Sequence, residues 1–245
     1  MNLFIIVLGL VIISPQQKSE VNFPSKDGLL ITADIYLTHP KSAPLIVLFH
    51  QARSSRGEYL EIAPELNRLG YNCIAVDLRS GGENNGIKNK TALAAEDAMK
   101  PTQYVNAYQD IDAAVKYARQ YFAEGKLIIW GSSYSSALVL RYAGDNPDSI
   151  DGILAFSPGE YFKNQGKSAT YISEGAANIT KPTFITSAKN EKESWWAMYE
   201  AIPNEDKSYF LPTSSGNHGS KALWSQFGDS LRYWDAVEKF LEQFK

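Results

Sequence analysis

The sequence predicts an α/β fold: a mostly parallel sheet of about eight strands with helices on both faces. Three observations lead there. Short apolar runs alternate with stretches of helical periodicity along most of the chain. Pro44 to Phe49 is almost continuously apolar, the pattern of a strand covered on both faces. The apolar run Leu127-Ile128-Ile129 leads into Trp130-Gly131-Ser132-Ser133-Tyr134-Ser135-Ser136-Ala137, a strand, a sharp turn and a helix in succession.

In chain order, Val21 to Ser25 and Leu30 to Leu37 read as antiparallel strands joined at Lys26-Asp27-Gly28. The second alternates Ile31, Ala33, Ile35 and Leu37, as a half-buried strand does. After the buried strand ending at Phe49, Glu58 to Leu69 has Leu60, Ala63, Leu66 and Leu69 at helical spacing, with Gly70 as its C-terminal stop. Cys73 to Val76 is the next strand, followed by a polar loop, Asp77 to Asn89. Ala92 to Met99 reads as a short helix stopped before Pro101, and Gln103 to Phe122 as a long one with Val105, Ile111, Ala114, Val115 and Ala118 on or near one face. Leu127 to Trp130 is a strand and Tyr134 to Ala143 the helix leaving it. Gly152 to Phe156, Pro182 to Ser187 and Lys207 to Leu211 are further strands, and Asp229 to Phe244 closes the chain as an amphipathic helix. Too few residues separate Phe156 from Ile179 for a large cap domain.

With 245 residues, the chain has length for one sizeable core, assigned to residues 20–245. Both charge signs are mixed and the net charge is −3, with no basic stripe, so nucleic acid is not an expected partner. Residues 1–17 stand apart. Leu3 to Ile13 is an apolar run too short for a stable membrane span, which takes roughly 20 residues. It resembles the apolar region of a secretory signal, although no Lys or Arg precedes it and no clear small-x-small cleavage site follows. A signal there implies an exported protein, periplasmic or secreted; a buried N-terminal strand or helix implies a cytoplasmic one. The lone Cys73 forms no intrachain disulfide and reads as a small packing residue in a buried strand.

The small-x-Ser-x-small pattern around Ser133 fits a nucleophile elbow, because strand and helix approach so closely that only small residues fit at Gly131 and Ser135. A serine hydroxyl is a weak nucleophile and needs a base, oriented in turn by an acid. Of the three histidines, His39 lies in a surface loop and His50 ends the third strand, where it suits shaping a loop by hydrogen bonding. His218, in the turn-rich Ser214-Ser215-Gly216-Asn217-His218-Gly219, follows in the order serine, acid, histidine. Glu191, just beyond the strand Pro182 to Ser187, is the candidate acid, ahead of Glu193 and Asp206. The expected oxyanion donors are the backbone N–H of Tyr134 and one from the loop after the third strand, from Ala52 or Gln51. Trp195, Trp196, Met198 and Tyr199 suit either an acyl pocket or the buried face of a helix, and Trp224 and Phe227 either a cover over the site or a contact surface.

Together these residues resemble the α/β-hydrolase family, in particular its compact, lidless members similar to dienelactone hydrolases and bacterial carboxylesterases. The resemblance covers about residues 20 to 245. It rests on Leu45-Ile46-Val47-Leu48-Phe49-His50-Gln51, on Gly70 through Gly82, on the elbow, on Pro182 to Glu191, and on Gly216-Asn217-His218-Gly219. It implies a nucleophile at Ser133, an acid at Glu191 and a base at His218, with Asp77 and Arg79 tying loops together. The chain departs from the family pattern at Gln51 and Ser135, where glycine is usual, and at Glu191, where aspartate is commoner. The expected activity is cleavage of a small-molecule carboxylic ester through an acyl-enzyme, with no metal or organic cofactor. Amide cleavage or acyl transfer on the same triad, and a non-catalytic binding protein of the same fold, are the alternatives.

Overall fold

A computed structural model describes residues 18–245, so the apolar segment Leu3 to Ile13 lies outside the described residues. Eight strands form one sheet in the order β1-β2-β4-β3-β7-β8-β9-β10. They are β1 (Lys18–Pro24), β2 (Leu30–Tyr36), β3 (Leu45–Phe49), β4 (Asn72–Val76), β7 (Leu127–Ser132), β8 (Gly152–Phe156), β9 (Thr183–Thr186) and β10 (Lys207–Phe210). Only β2 runs against the others, pairing antiparallel with both β1 and β4. The remaining ladders are parallel, with Leu45 opposite Leu127 and Ile128 opposite Gly152.

Because side chains alternate along a strand, the sheet feeds two cores. Leu45, Val47, Phe49, Leu127 and Ile129 pack with α3 (Tyr108–Tyr121), α4 (Tyr134–Asp145) and α6 (Lys192–Ala201). Ile46, Leu48, Ile128 and Trp130 pack on the other face with α1 (Ile62–Arg68) and α7 (Ser230–Leu241). Cys73 belongs to this second core, fully buried, and burial pushes its thiol far above the ordinary range. Strands covered on both faces have no polar side to show, which is why β3, β4 and β8 are buried at every position.

The structure corrects several expected boundaries. The helix expected over 58–69 is a 3-10 turn, Arg56–Tyr59, followed by the separate α1, with Pro64 in the first turn of α1, where a missing N–H breaks no bond. The helix expected from Gln103 likewise begins as a 3-10 turn, Tyr104–Ala107, and turns α-helical at Tyr108. The polar loop after β4 holds a small hairpin, β5 (Glu83–Asn84) and β6 (Ile87–Lys88). Its turn, Asn85-Gly86, has both residues at positive φ, the Asn-Gly signature of a tight hairpin. Helices α2 (Lys90–Asp97) and α5 (Tyr171–Ala176) are the other two, and among the described residues no cap domain stands over the sheet. Among the described residues no helix is long and apolar enough to cross a membrane.

Two buried arginines fasten the loops at the ends of the strands. Arg79 donates to Asp110 at 2.7–3.0 Å and to Asp27 at 2.8 and 3.1 Å. Arg56 pairs with Asp77, Asp34 and Glu20, while Asp77 also accepts the backbone N–H groups of Arg56 and Lys90. Asp77 and Arg79 thus belong to two separate networks. Burial pushes the Asp110 carboxyl up, and the Arg79 hydrogen bonds work against that push.

Two outcomes follow. Arg79→Met leaves Asp110 buried without its partner and is expected to cost about 3–5 kcal/mol in urea denaturation. The Asp27 carboxyl, held at about 2 chiefly by its hydrogen bond from Arg79, adds stability that is full above its unfolded value of 3.8 and lost as pH falls through about 2. Asp27→Asn should therefore flatten the acid limb of the stability curve.

Candidate active site

Four loops at the C-terminal end of the parallel strands carry the candidate residues. The first is the turn from β7 into α4. Gly131 sits against Ser135 and Ser136 so closely that a Cβ there would run into their backbone. Ser133 takes φ 57 and ψ −122, outside the regions favoured by side-chain-bearing residues, and its N–H donates to Phe156 O at 2.7 Å. Ser135 stands where glycine is usual, and its hydroxyl has a use. It accepts from Ser132 N–H at 2.9 Å and reaches Phe49 O at 2.8 Å, closing the turn onto β3.

Ser133, at 8% exposure, is brought together with His218 and Glu191. Its Oγ lies 2.8 Å from His218 Nε2, and His218 Nδ1 lies 2.6 Å from Glu191 Oε1. With Nδ1–H donating to the carboxylate, Nε2 presents its lone pair to the serine hydroxyl. Burial raises the Glu191 carboxyl, but hydrogen bonds from His218 and Ser157 outweigh it and hold the group below its ordinary range. The competing carboxylates Glu193 and Asp206 are exposed.

The loop after β3 carries the two oxyanion candidates. Gln51 N–H donates to Glu58 Oε2 at 2.8 Å, so it is spent on the interior, which corrects the expectation that it was an equal choice. Ala52 N–H and Tyr134 N–H have no hydrogen-bond partner among the described residues. His50, fully buried, accepts from Leu78 N–H on Nε2 at 2.9 Å, so its Nδ1 carries the proton and donates to Gln51 O at 2.7 Å. Burial pushes its imidazole down, toward the neutral form this arrangement needs. His39 is half-buried and bonds Asn67 O through Nε2 at 2.7 Å.

Two serines to which the sequence assigns no such role hold the histidine loop. Ser157, directly after β8 and at φ 57, donates to Glu191 Oε2 at 2.7 Å and accepts Gly219 N–H at 2.9 Å. Ser132 Oγ accepts Ser220 N–H at 2.9 Å and donates to Glu58 Oε1 at 2.6 Å. The Tyr161 hydroxyl, beside Ser133, donates to Ser157 O at 2.8 Å and is pushed up to about 12, first by burial and then by Glu191. No local pattern marks Ser157, since its partners come from distant loops.

Trp195 and Met198 are fully buried in the core, with Trp195 Nε1–H bonded to Ser187 Oγ at 2.8 Å, so this pair forms a helix's inner face rather than an acyl pocket. Trp224 packs behind the site, its Nε1–H donating to Glu58 O at 3.0 Å. Among the described residues no group of three or more His, Cys, Asp or Glu is placed to hold a metal. A cleft of about 730 Å³ lined by Phe23, Lys116 and Tyr117 lies apart from all of these residues.

The family model described as α/β-hydrolase fold matches residues 44–166, which span β3 through the elbow and beyond. The chain belongs to that family. Its structure is similar to an esterase of Pyrococcus furiosus, with a TM-score of 0.70 at 18% identity over 93% of each chain. It is similar also to a dienelactone hydrolase of Anabaena variabilis, with a TM-score of 0.70 at 11% identity over 93% of this chain and 98% of that one. A Butyrivibrio proteoclasticus protein solved with ferulic acid bound gives 0.69 at 15% identity over 89% and 96%. At such identities the likeness is one of fold. No curated protein matches the chain in sequence.

Strain at the elbow has a measurable consequence. Ser133→Gly removes a side chain from a conformation glycine tolerates and gives up one partly exposed hydrogen bond, to His218; the strain relief is the larger effect, and stability is expected to rise by about 1 kcal/mol, or about 2–4 °C in Tm. Ser157→Gly, which relieves a similar φ but deletes two hydrogen bonds, should show no such gain in the same thermal melts.

Proposed function

We propose that the protein is a serine hydrolase that cleaves a small-molecule carboxylic ester through an acyl-enzyme. The observation that carries the reading is the unbroken relay from Ser133 Oγ through His218 to Glu191, at 2.8 and 2.6 Å. The fold shared with the P. furiosus esterase and the A. variabilis dienelactone hydrolase supports it.

In this reading Ser133 Oγ attacks the ester carbonyl as its proton passes to His218 Nε2. The carbonyl π electrons move onto oxygen, and the resulting oxyanion accepts hydrogen bonds from Tyr134 and Ala52 N–H. Glu191 stays ionised, holds the Nδ1–H tautomer and stabilises the imidazolium. His218 then gives its proton to the leaving alcohol as the C–O bond breaks. Water, deprotonated by the same imidazole, attacks the acyl-Ser133 ester, and collapse of the second oxyanion returns the proton to Ser133 and releases the acid.

The expected outcome for a fluorophosphonate probe is a phosphonate on the peptide carrying Ser133, found by mass spectrometry and absent from Ser133→Ala. Ser133→Ala and His218→Ala are each expected to lower p-nitrophenyl acetate turnover by about 10⁴-fold or more, and the double variant by little beyond either, since the pair acts as a unit. Turnover retained by purified Ser133→Ala would overturn the assignment.

A further inference from the structure

Beneath the candidate oxyanion loop lies a carboxylate that the reaction scheme leaves unused. Glu58, in the 3-10 turn Arg56–Tyr59, is 0% exposed. Among the described residues it enters no ion pair; nearby Arg56 is committed to Asp77, Asp34 and Glu20. Burial pushes its carboxyl up, against the hydrogen bonds it receives. A carboxylate kept out of water without a cation is costly, so what its two oxygens hold matters.

They hold the two halves of the oxyanion hole. Oε2 accepts Gln51 N–H at 2.8 Å, which fixes the peptide preceding Gln51 Cα. The peptide following it is fixed separately, because Gln51 O accepts from His50 Nδ1–H at 2.7 Å. In a trans peptide the carbonyl and the next N–H point in opposite directions, so the His50 bond turns Ala52 N–H away from the imidazole. With both planes beside Gln51 Cα held, neither rotates without breaking a buried hydrogen bond. The other oxygen, Oε1, accepts from Ser132 Oγ at 2.6 Å, one residue before Ser133. Ser132 in turn accepts Ser220 N–H, two residues past His218. One carboxyl group therefore joins the loop bearing Ala52 to the elbow bearing Tyr134, and through Ser132 to the histidine loop.

We propose that Glu58 is a positioning residue for the oxyanion hole, setting the separation and aim of the Ala52 and Tyr134 N–H groups without touching substrate. The inference rests on the ester-hydrolase reading above. It separates two roles that a neutral side chain and a carboxylate fill differently. Leucine conserves the volume of Glu58 but offers no acceptor. Glutamine keeps one acceptor for Gln51 N–H and loses the charge.

The test compares wild type, Glu58→Leu and Glu58→Gln with p-nitrophenyl acetate, after counting reactive sites in each with a fluorophosphonate. Loss of one oxyanion donor lowers kcat by about 10²–10³-fold, so Glu58→Leu is expected to lose about 100-fold in kcat per reactive site while KM stays within about threefold. Glu58→Gln is expected to stay within about tenfold of wild type, because a misaimed donor, unlike a missing one, is largely restored by the conserved acceptor. Fewer reactive sites with unchanged kcat per site would mean that Glu58 serves folding alone, and would overturn the proposal. Should Glu58→Leu not fold, Glu58→Asp takes its place. It draws the carboxylate back by one methylene, and the same loss in kcat per site is expected; a wild-type rate would overturn the proposal. Wild-type protein that neither hydrolyses the ester nor labels would overturn the parent reading and this one with it. Active wild type with unaltered variants would overturn this one alone.

Discussion

At the turn between β7 and α4, strand and helix meet with no side chain between them, because a methyl group at Gly131 would strike the backbone of Ser135 and Ser136. That contact forces the intervening residue through a conformation that side chains resist, and Ser133 occupies it at φ 57. The remaining features of the site depend on it. The strained turn lifts Oγ clear of the backbone to within 2.8 Å of His218 Nε2. It also leaves Tyr134 N–H at the helix start, where helical geometry supplies no acceptor. Stored strain, a hydroxyl raised off the backbone and a free donor are three results of one close approach.

Neutral groups hold the histidine loop in register with that turn. The two backbone N–H groups that follow His218, from Gly219 and Ser220, are each accepted by a serine hydroxyl, Ser157 on the acid side and Ser132 on the nucleophile side. Each such bond contributes about 1 kcal/mol. Their value lies in direction, since each hydroxyl also donates to a carboxylate and so has only one favourable orientation. The strong charge pairs stand farther off. Arg56 and Arg79 fasten the loops around β1, β2 and β4. Among the described residues, Glu191 and Glu58, the carboxylates near the imidazole, have no Lys or Arg partner.

Much of this was legible in the sequence, for reasons that differ by element. The parallel strands announce themselves because burial on both faces leaves no polar position, as in Leu45 to Phe49. The elbow is legible because steric crowding restricts residue type over a short span of chain. Ser133, Glu191 and His218 can be assigned as one candidate set from the sequence because, from β7 onward, chain order is also spatial order at the C-terminal edge of the sheet. Ser157 and Glu58 escaped for the converse reason. What matters about each is a partner contributed by a remote loop, and the sequence around them reads as an ordinary strand end and an ordinary helix start. The choice between Gln51 and Ala52 was equally out of reach, because it turns on which way one peptide plane faces. The hairpin at Asn85-Gly86, by contrast, carried a local signal.

Cys73 gives the protein an internal clock. Its thiol sits in the sheet opposite Ile46 of β3 and Tyr36 of β2, shielded from water and held protonated. A thiol reagent in the surrounding solution does not reach it while α1 and α7 cover that face of the sheet. Because the chain has a single cysteine, each modified molecule marks one lifting of that cover from β4. With reagent in excess, so that opening limits the rate, the chemistry reads how long the layer over β3 and β4 stays closed, and no residue of the site is disturbed.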